Sequence, residues 1–516
     1  MAIKTSPKIK HNGVYYTPIE LAHFLARPLI RRANLKVFDP AYGEGALLLA
    51  AERVFIQKGY SSSYSIELYG CDKIPKNGLL KHLPSRHLLK LDFFKYPLNK
   101  KYDLILMNPP YVRHHIISDK KRRDYKKVTD GIHGLKATSD LWAYFLIKAV
   151  NHLNQRGSLG AILPWSFLQA EYAHGIREWL AGRFRRIQAL ALGAHYFNNA
   201  KERTMLLWLK GFGKPIHSIK ISFAQHPRRD LPYRDLNRDS WGSENVLYSA
   251  THDIEQTLRE YIEKYNFKRF EDFAEVKIGV VTGADIFFIV DADEAEELGF
   301  LKDHLVPIFT SSREISGLSS NGSNPTKRLL SLARGDYRTY TSYIRKGVRE
   351  KYHKRAHSLR REPWYSVNLG KTPDAFFPYR TSNLPYLIMN DQGVQCTNSI
   401  HRIYFKELSD EKKKWVQLSL LSLPGQLSLE AYSKTYGTGI LKIEPKALKK
   451  AIVYVSEDSD VRPIYGRVSK LISDNNRVRA MEVATDFINQ KLGIPTKLSN
   501  RAYSVLRELQ GRRSSK

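Results

Sequence analysis

Asn108-Pro109-Pro110-Tyr111 follows directly on the apolar run Tyr102-Asp103-Leu104-Ile105-Leu106-Met107. The tetrapeptide joins an amide that can accept hydrogen bonds, two prolines and an aromatic face. Proline fixes φ and has no N–H, so the Pro109 carbonyl can face a ligand with no competing donor. Such a set suits holding a planar amino group while its nitrogen attacks an electrophile. Asn-Pro also opens ordinary turns, so the neighbouring residues decide its meaning.

Asp39-Pro40-Ala41-Tyr42-Gly43-Glu44-Gly45 closes an earlier strand pattern and opens a helix pattern at Ala46. Its glycines allow a tight turn, and a helix N-terminus presents free N–H groups to a ligand. Asp72 and Asp92 close two further strand patterns. Asp39, Asp72, Asp92 and Asn108 thus follow four strands in order, and the carboxyl ends of parallel strands share one edge, where open α/β sheets bind ligands. Asp72 is placed to accept from a ribose diol. The loop is Gly-x-Gly rather than Gly-x-Gly-x-x-Gly, which makes a nicotinamide dinucleotide the weaker reading. A nucleoside cofactor without phosphate, S-adenosylmethionine, fits better.

The elements that must hold these residues alternate short apolar runs with helical patterns over residues 1–215, the signature of a parallel α/β sheet. Strands are expected at 37–39, 66–71, 87–91, 104–107, 159–163 and 205–209, and helices at 46–56 and 140–153. A basic, poorly periodic stretch at 114–138 reads as a mobile loop leaving the Asn-Pro-Pro-Tyr turn. Residues 216–250 read as a linker with some structure, and 251–516 as a second, mixed α+β domain. Strands are expected there at 274–281, 286–290, 386–389 and 401–405, with mostly helix over 410–490.

Charge points to the partner. The 516 residues carry 83 Lys+Arg against 51 Asp+Glu, a formal net charge of +32. A small neutral substrate does not call for that excess; a polyanion does, because Lys and Arg on phosphates release counterions. The 30 Tyr and 22 Phe among the cations suit base stacking. Lys120, Lys121, Arg122 and Arg123 are read as DNA backbone contacts. Two distant cysteines, Cys71 and Cys396, form neither a zinc motif nor a disulfide framework. No metal is expected. No segment reads as a signal peptide or a membrane span, so a cytoplasmic, monomeric protein is expected.

The order of motifs resembles the gamma class of DNA adenine-N6 methyltransferases. The matching residues run from Tyr15-Tyr16-Thr17-Pro18 through Asp39–Gly45, Asp72, Asp92 and Asn108–Tyr111. Asp140-Leu141-Trp142-Ala143-Tyr144-Phe145, Gly157–Leu168 and Phe197–Thr204 follow. The resemblance spans about residues 13–210. It extends loosely to Gly279–Gly283, Phe287-Phe288 and Glu362-Pro363-Trp364-Tyr365, which look like parts of a target-recognition domain. Tyr42 and Glu44 stand where Cys and Ser are more usual.

The resemblance implies a Rossmann-like S-adenosylmethionine-dependent methyltransferase domain followed by a domain that reads duplex DNA. It implies either the modification enzyme of a restriction system, with a separately encoded cognate restriction endonuclease, or an orphan relative without one. Thr17, Pro18, Asp39, Ala41, Gly43, Gly45, Asp72, Asp92 and Asn108 would bind the cofactor. Asn108, Pro109, Pro110 and Tyr111 would be catalytic, and Tyr111 and Phe197 would stack on a flipped adenine. Asn-Pro-Pro-Tyr also occurs in methyltransferases of release-factor glutamine and of RNA guanine. The former are much shorter, and RNA modules are not visible here. Glu275-Val276-Lys277 alone does not make a nuclease. A DNA-binding subunit with an inactive site is opposed by the intact Asn108–Tyr111 turn.

Overall fold

The structure, a computed structural model, describes residues 17–60, 66–76, 80, 87–128, 139–193, 196, 203–228, 230–243, 246, 254–435, 439–456 and 460–514. The chain divides into two compact units. The first comprises 1–252 with short pieces at 436–438 and 512–516; the second holds 253–435 and 439–511.

A nine-stranded sheet organises the first unit: β1 Val37–Asp39, β2 Leu68–Asp72, β3 Leu88–Lys90, β4 Tyr102–Met107, β5 Leu153–Pro164, β6 Phe184–Leu192, β7 Thr204–Phe212, β8 Ser218–Ala224 and β9 Arg234–Leu236. Their order is β3-β2-β1-β4-β5-β7-β6-β8-β9. β1 lies parallel to β2 and β4, in register Val37↔Leu68 and Val37↔Leu104. β7 runs antiparallel between β5 and β6, and β9 antiparallel to β8. This is an α/β Rossmann-like arrangement.

The period of two along β4 explains why the sheet is buried on both faces. Leu104 and Leu106 join one core with Val37 and Leu47. Ile105 and Met107 join the other with Phe38 and Leu146. The helices over these faces include α1 Ile19–Ala26, α2 Ala46–Gln57, α3 Asp119–Val128, α4 Leu141–Val150, α5 Ser166–Gln169, α6 Ala173–Ala181 and α7 Arg238–Gly242.

Two expectations are corrected. The stretch read as a mobile loop contains a 3-10 turn at His114–Ile116 and α3; residues 129–138 lie outside the described residues. α3 lacks an apolar period, yet Tyr125 stacks on Phe94 with centroids 3.9 Å apart. Arg122 Nη2 also donates to the His114 and Ile117 carbonyls at 3.1 and 3.0 Å, tying the helix to the preceding turn.

The linker expected at 216–250 instead supplies β8, β9 and α7 to the first unit. Buried Arg177 on α6 secures it: Nε donates to the Trp241 carbonyl at 2.9 Å, and Nη1 and Nη2 to the carbonyls of Phe167 and Ser243. Pro18 is the N-cap of α1, with no side-chain cap bond.

The second unit is mixed α+β. Ala274–Ile278 pairs antiparallel with Ile400–Phe405, which pairs with Ala375–Pro378. Residues 286–290 begin as a helical turn, Asp285–Phe288, before the strand Ile289–Asp291. Thr282 Oγ1 accepts from the Ala284 N–H at 3.1 Å and starts that turn. Asp410–Leu421, Leu423–Tyr432, Arg462–Ser473 and Arg477–Leu492 are helices.

Candidate active site

The Asp39–Gly45 loop leaves β1 and turns sharply into α2. Gly43 and Gly45 have φ of 55° and 96°, the left-handed region that glycine enters without a Cβ clash. A Cβ on Gly45 would lie 2.2 Å from Leu80 Cγ. Asp39 Oδ1 accepts from the Ala41 N–H at 2.9 Å. Across the strand ends, Asp72 holds the same loop: Oδ2 accepts from the Gly43 N–H at 3.0 Å, and Oδ1 from the Ile74 N–H at 2.7 Å. Burial pushes the Asp39 carboxyl up to about 8, and the nearby Asp72 carboxylate adds to that against the opposing Ala41 N–H. Asp39 is thus protonated at neutral pH with no ligand bound.

Asp92 caps the 3-10 turn Phe93–Lys95, accepting from the Phe94 N–H at 3.0 Å. The same turn is held from below by Lys148 of α4. Its buried Nζ donates to the Phe93 carbonyl at 2.6 Å and the Tyr96 carbonyl at 2.9 Å, and burial lowers its pKa to about 8. Phe94 and Tyr125 then form an aromatic wall beside Asp92.

At the end of β4, Asn108 Nδ2 donates to Thr17 Oγ1 at 3.0 Å. The two residues are 91 apart in sequence, and the contact fixes which end of the amide faces Thr17. Tyr111 donates its hydroxyl to the Ile162 carbonyl of β5 at 3.2 Å, which anchors the tip of the side chain. Asp140, at the N-cap of α4, accepts from the His114 N–H at 2.8 Å and the Tyr172 hydroxyl at 3.0 Å. Leu141 N–H donates to the Val112 carbonyl at 2.9 Å. The Asn-Pro-Pro-Tyr turn is therefore pinned on both sides.

One cavity of about 930 Å³ joins these parts. Thr17, Asp39, Ala41, Gly43, Asp72, Asp92, Asn108 and Pro110 line it, with Phe94, Tyr125 and Phe145. Gly45 shapes the turn rather than the wall. Pro18, Pro109 and Tyr111 do not line the cavity, and Phe197 lies outside the described residues. Of the cations assigned to DNA, Lys120, Lys121 and Arg123 are exposed. Arg122 is a correction: half-buried, it is committed to the two carbonyls above and to Asp119 at 3.5 Å.

The sequence reading missed Phe94 and Tyr125, and gave Phe145 only as the end of a motif. The Phe93-Phe94 pair directly after Asp92 was the available signal for the first of them. The volume and lining suit a nucleoside bearing a cation. Phe94 and Tyr125 offer an apolar aromatic wall for a base. Among the described residues, no group of three or more His, Cys, Asp and Glu could hold a metal ion. No helix among them is long and apolar enough to cross a membrane.

Comparison with known proteins agrees with this geometry. Residues 43–194 match the family described as Eco57I restriction-modification methylase. Residues 245–491 match the C-terminal domain of Type II methyltransferase M.Eco57I. The chain is 22% identical to Type II methyltransferase M.AccI of Acinetobacter calcoaceticus, over 89% of this chain and 90% of that one. It is 26% identical to M.BanIII of Aneurinibacillus aneurinilyticus, over 55% of this chain and 58% of the relative. Among solved structures, the Type IIL restriction-modification enzyme MmeI in complex with DNA shares the fold. The TM-score is 0.60 at 12% identity, covering 98% of this chain and 80% of that one. Two matched halves in the same order, with one relative aligned along nearly its whole length, show that the chain belongs to the gamma-class type II restriction-modification DNA methyltransferases, whose cofactor is S-adenosylmethionine.

Proposed function

We propose that the enzyme methylates N6 of an adenine, at a specific site in duplex DNA, after the base has been extruded from the helix. The observation that carries this reading is the Asn108–Tyr111 turn, pinned at the end of β4 with Asn108 on the cavity wall. When bound, S-adenosylmethionine supplies a methyl carbon made electrophilic by its sulfonium. The chain's own residues bring the amine to it.

Tyr111 offers its ring to one face of the base, and Phe197, by its place in the motif order, the other. The Asn108 side-chain oxygen and the Pro109 carbonyl accept the two N6 hydrogens. This draws the nitrogen from planarity and turns its lone pair toward the methyl group. Transfer is direct, with no covalent enzyme intermediate: as the N6–methyl bond forms, the methyl–sulfur bond pair would stay on sulfur and the surplus N6 proton would pass to water. Positioning of this kind can supply about 7–11 kcal/mol of the barrier, and one well-placed hydrogen-bonding group about 3–4 kcal/mol. Asp72 and Asp92 hold the ribose and adenine of the cofactor. Lys120, Lys121 and Arg123 contact the DNA backbone, and the second unit reads the sequence. The enzyme acts as a monomer, and its cognate endonuclease is encoded separately.

Incubation with labelled cofactor and unmethylated duplex DNA, followed by digestion to nucleosides, tests this. N6-methyladenine is the expected product. N4-methylcytosine would keep the amine chemistry and overturn the base; label on RNA or protein would overturn the substrate.

A further inference from the structure

A second cavity, of about 210 Å³, lies wholly within the second unit. Three segments far apart in sequence converge on it. Ser312 and Arg313 come from a 3-10 turn, Arg380, Thr381 and Asn383 from a strand and its turn, and Arg477 from the first position of the helix Arg477–Leu492. Three guanidiniums and several hydroxyl or amide groups face one small space, and no carboxylate lines it.

Arg477 is held in place by the chain. Its Nη1 donates to the Leu384 carbonyl at 3.2 Å, and its guanidinium lies 4.9 Å from the centre of the Tyr386 ring. Its Nε is buried with no hydrogen-bond partner, a costly state unless an acceptor arrives. The Arg477–Leu492 helix begins at this wall, where the helix dipole favours an anion, while Asn476 Oδ1 caps the helix by accepting from the Arg479 N–H at 3.3 Å. Nearby Glu314 is already occupied, with Oε1 accepting from the Thr310 hydroxyl at 2.5 Å.

We infer that this pocket, through Arg313, Arg380 and Arg477, clamps one phosphodiester of the DNA backbone. The inference rests on the reading that the second unit binds duplex DNA. The volume suits a phosphate group and is below that of sites for whole drug-sized ligands. Guanidinium forks match the paired oxygens of a phosphate. Such a contact fixes the register of the protein on the duplex without reading a base. It would let side chains elsewhere in the second unit meet their base edges.

The test is the salt dependence of binding to a fluorescent duplex that lacks the recognition sequence, for the full chain and for R313A/R380A. Both replaced arginines are exposed, so the variant's thermal midpoint should match the parent's. R477K, which keeps the charge but not the fork, is the companion variant. Each phosphate neutralised contributes about 0.9 to the slope of log K against log salt. The double variant should therefore show a slope shallower by about 1 and a several-fold weaker affinity at low salt, alike on all sequences. R477K should weaken binding with little change in slope.

An unchanged slope and affinity would overturn the pocket while leaving the DNA reading intact. A loss confined to the recognition sequence would also overturn it, since it would mean base readout. So would stabilisation of the parent by inorganic phosphate, lost in the variant, with DNA binding unaltered; the ligand would then be a free anion. A parent chain that fails to bind duplex DNA at all would instead sink the reading on which the inference rests.

Discussion

Replacing Thr17 with valine separates a role in orienting Asn108 from a role in holding the cofactor. The 3.0 Å bond from Asn108 Nδ2 to Thr17 Oγ1 assigns the amide nitrogen to Thr17, and so decides which end of the amide is left for the substrate. Valine keeps the branched shape and removes the acceptor. A part-buried hydrogen bond of this type is worth about 1 kcal/mol net, and up to about 3 kcal/mol when a donor is left without an acceptor. With 1.36 kcal/mol per factor of ten in rate, methyl transfer should slow by roughly 5- to 150-fold. Single-turnover transfer at saturating cofactor and DNA reads the chemical step, and calorimetry reads cofactor affinity. The expected result is a slower step with cofactor affinity within about twofold. Weaker cofactor binding with an unchanged chemical step would refute the orienting role and return Thr17 to the cofactor site.

Other outcomes follow from the same geometry. Tyr111→Phe removes the hydroxyl that bonds to Ile162 and should slow transfer a few-fold, whereas Tyr111→Ala loses the stacking face. Stacking on one base is worth about 1–3 kcal/mol, so single-turnover rates of the alanine variant should fall roughly 5- to 150-fold with cofactor affinity retained. Gly45→Ala meets both a φ of 96° and Leu80 at 2.2 Å; denaturant midpoints should show a loss of about 1–3 kcal/mol. Asp72→Ala removes the acceptor for the Gly43 and Ile74 N–H groups, and calorimetry should show weaker cofactor binding.

Asp39 keeps its proton in the folded chain up to about 8 but ionises near ~4 when unfolded. The folded state therefore binds the extra proton between those values. This contribution to stability is full below about pH 4 and is lost as pH rises toward 8, by up to about 1 kcal/mol per unit. Asp39→Asn should flatten that slope in a pH series of urea midpoints. A parallel slope in both proteins would show that Asp39 is ionised in the native state.

The strand-end chemistry was legible because apolar runs of period two end at Asp39, Asp72, Asp92 and Asn108, and each run needs only local residues to be recognised. The contacts that tune the site were not. Nothing in the sequence near Asn108 points to Thr17, which reaches it only after α1 has packed on the sheet. α3 was read as a loop because its residues, Asp119-Lys120-Lys121-Arg122-Arg123-Asp124-Tyr125-Lys126-Lys127-Val128, show no apolar face. Tyr125, against Phe94 and Tyr144, and Arg122, on two carbonyls, hold it, and neither makes a period. β8 was lost for a related reason. Ser218-Ile219-Lys220-Ile221 alternates as a strand should, but Pro215 before it and the polar residues after it suggest a linker. Short strands near a sheet edge carry little apolar signal of their own.

The strands β8 and β9, with Arg177, bear on how such an enzyme can be divided and recombined. β6 is nine residues long and lies between β7 and β8. A chain cut at residue 215 would turn it into a long open edge, able to pair with another molecule. The same cut would strip the Trp241 and Ser243 carbonyls from a guanidinium that cannot reach water. Exchange of recognition halves between relatives should therefore be made after Val246, which is itself buried in the first unit's core. A hybrid joined upstream would aggregate for a reason unrelated to its new specificity.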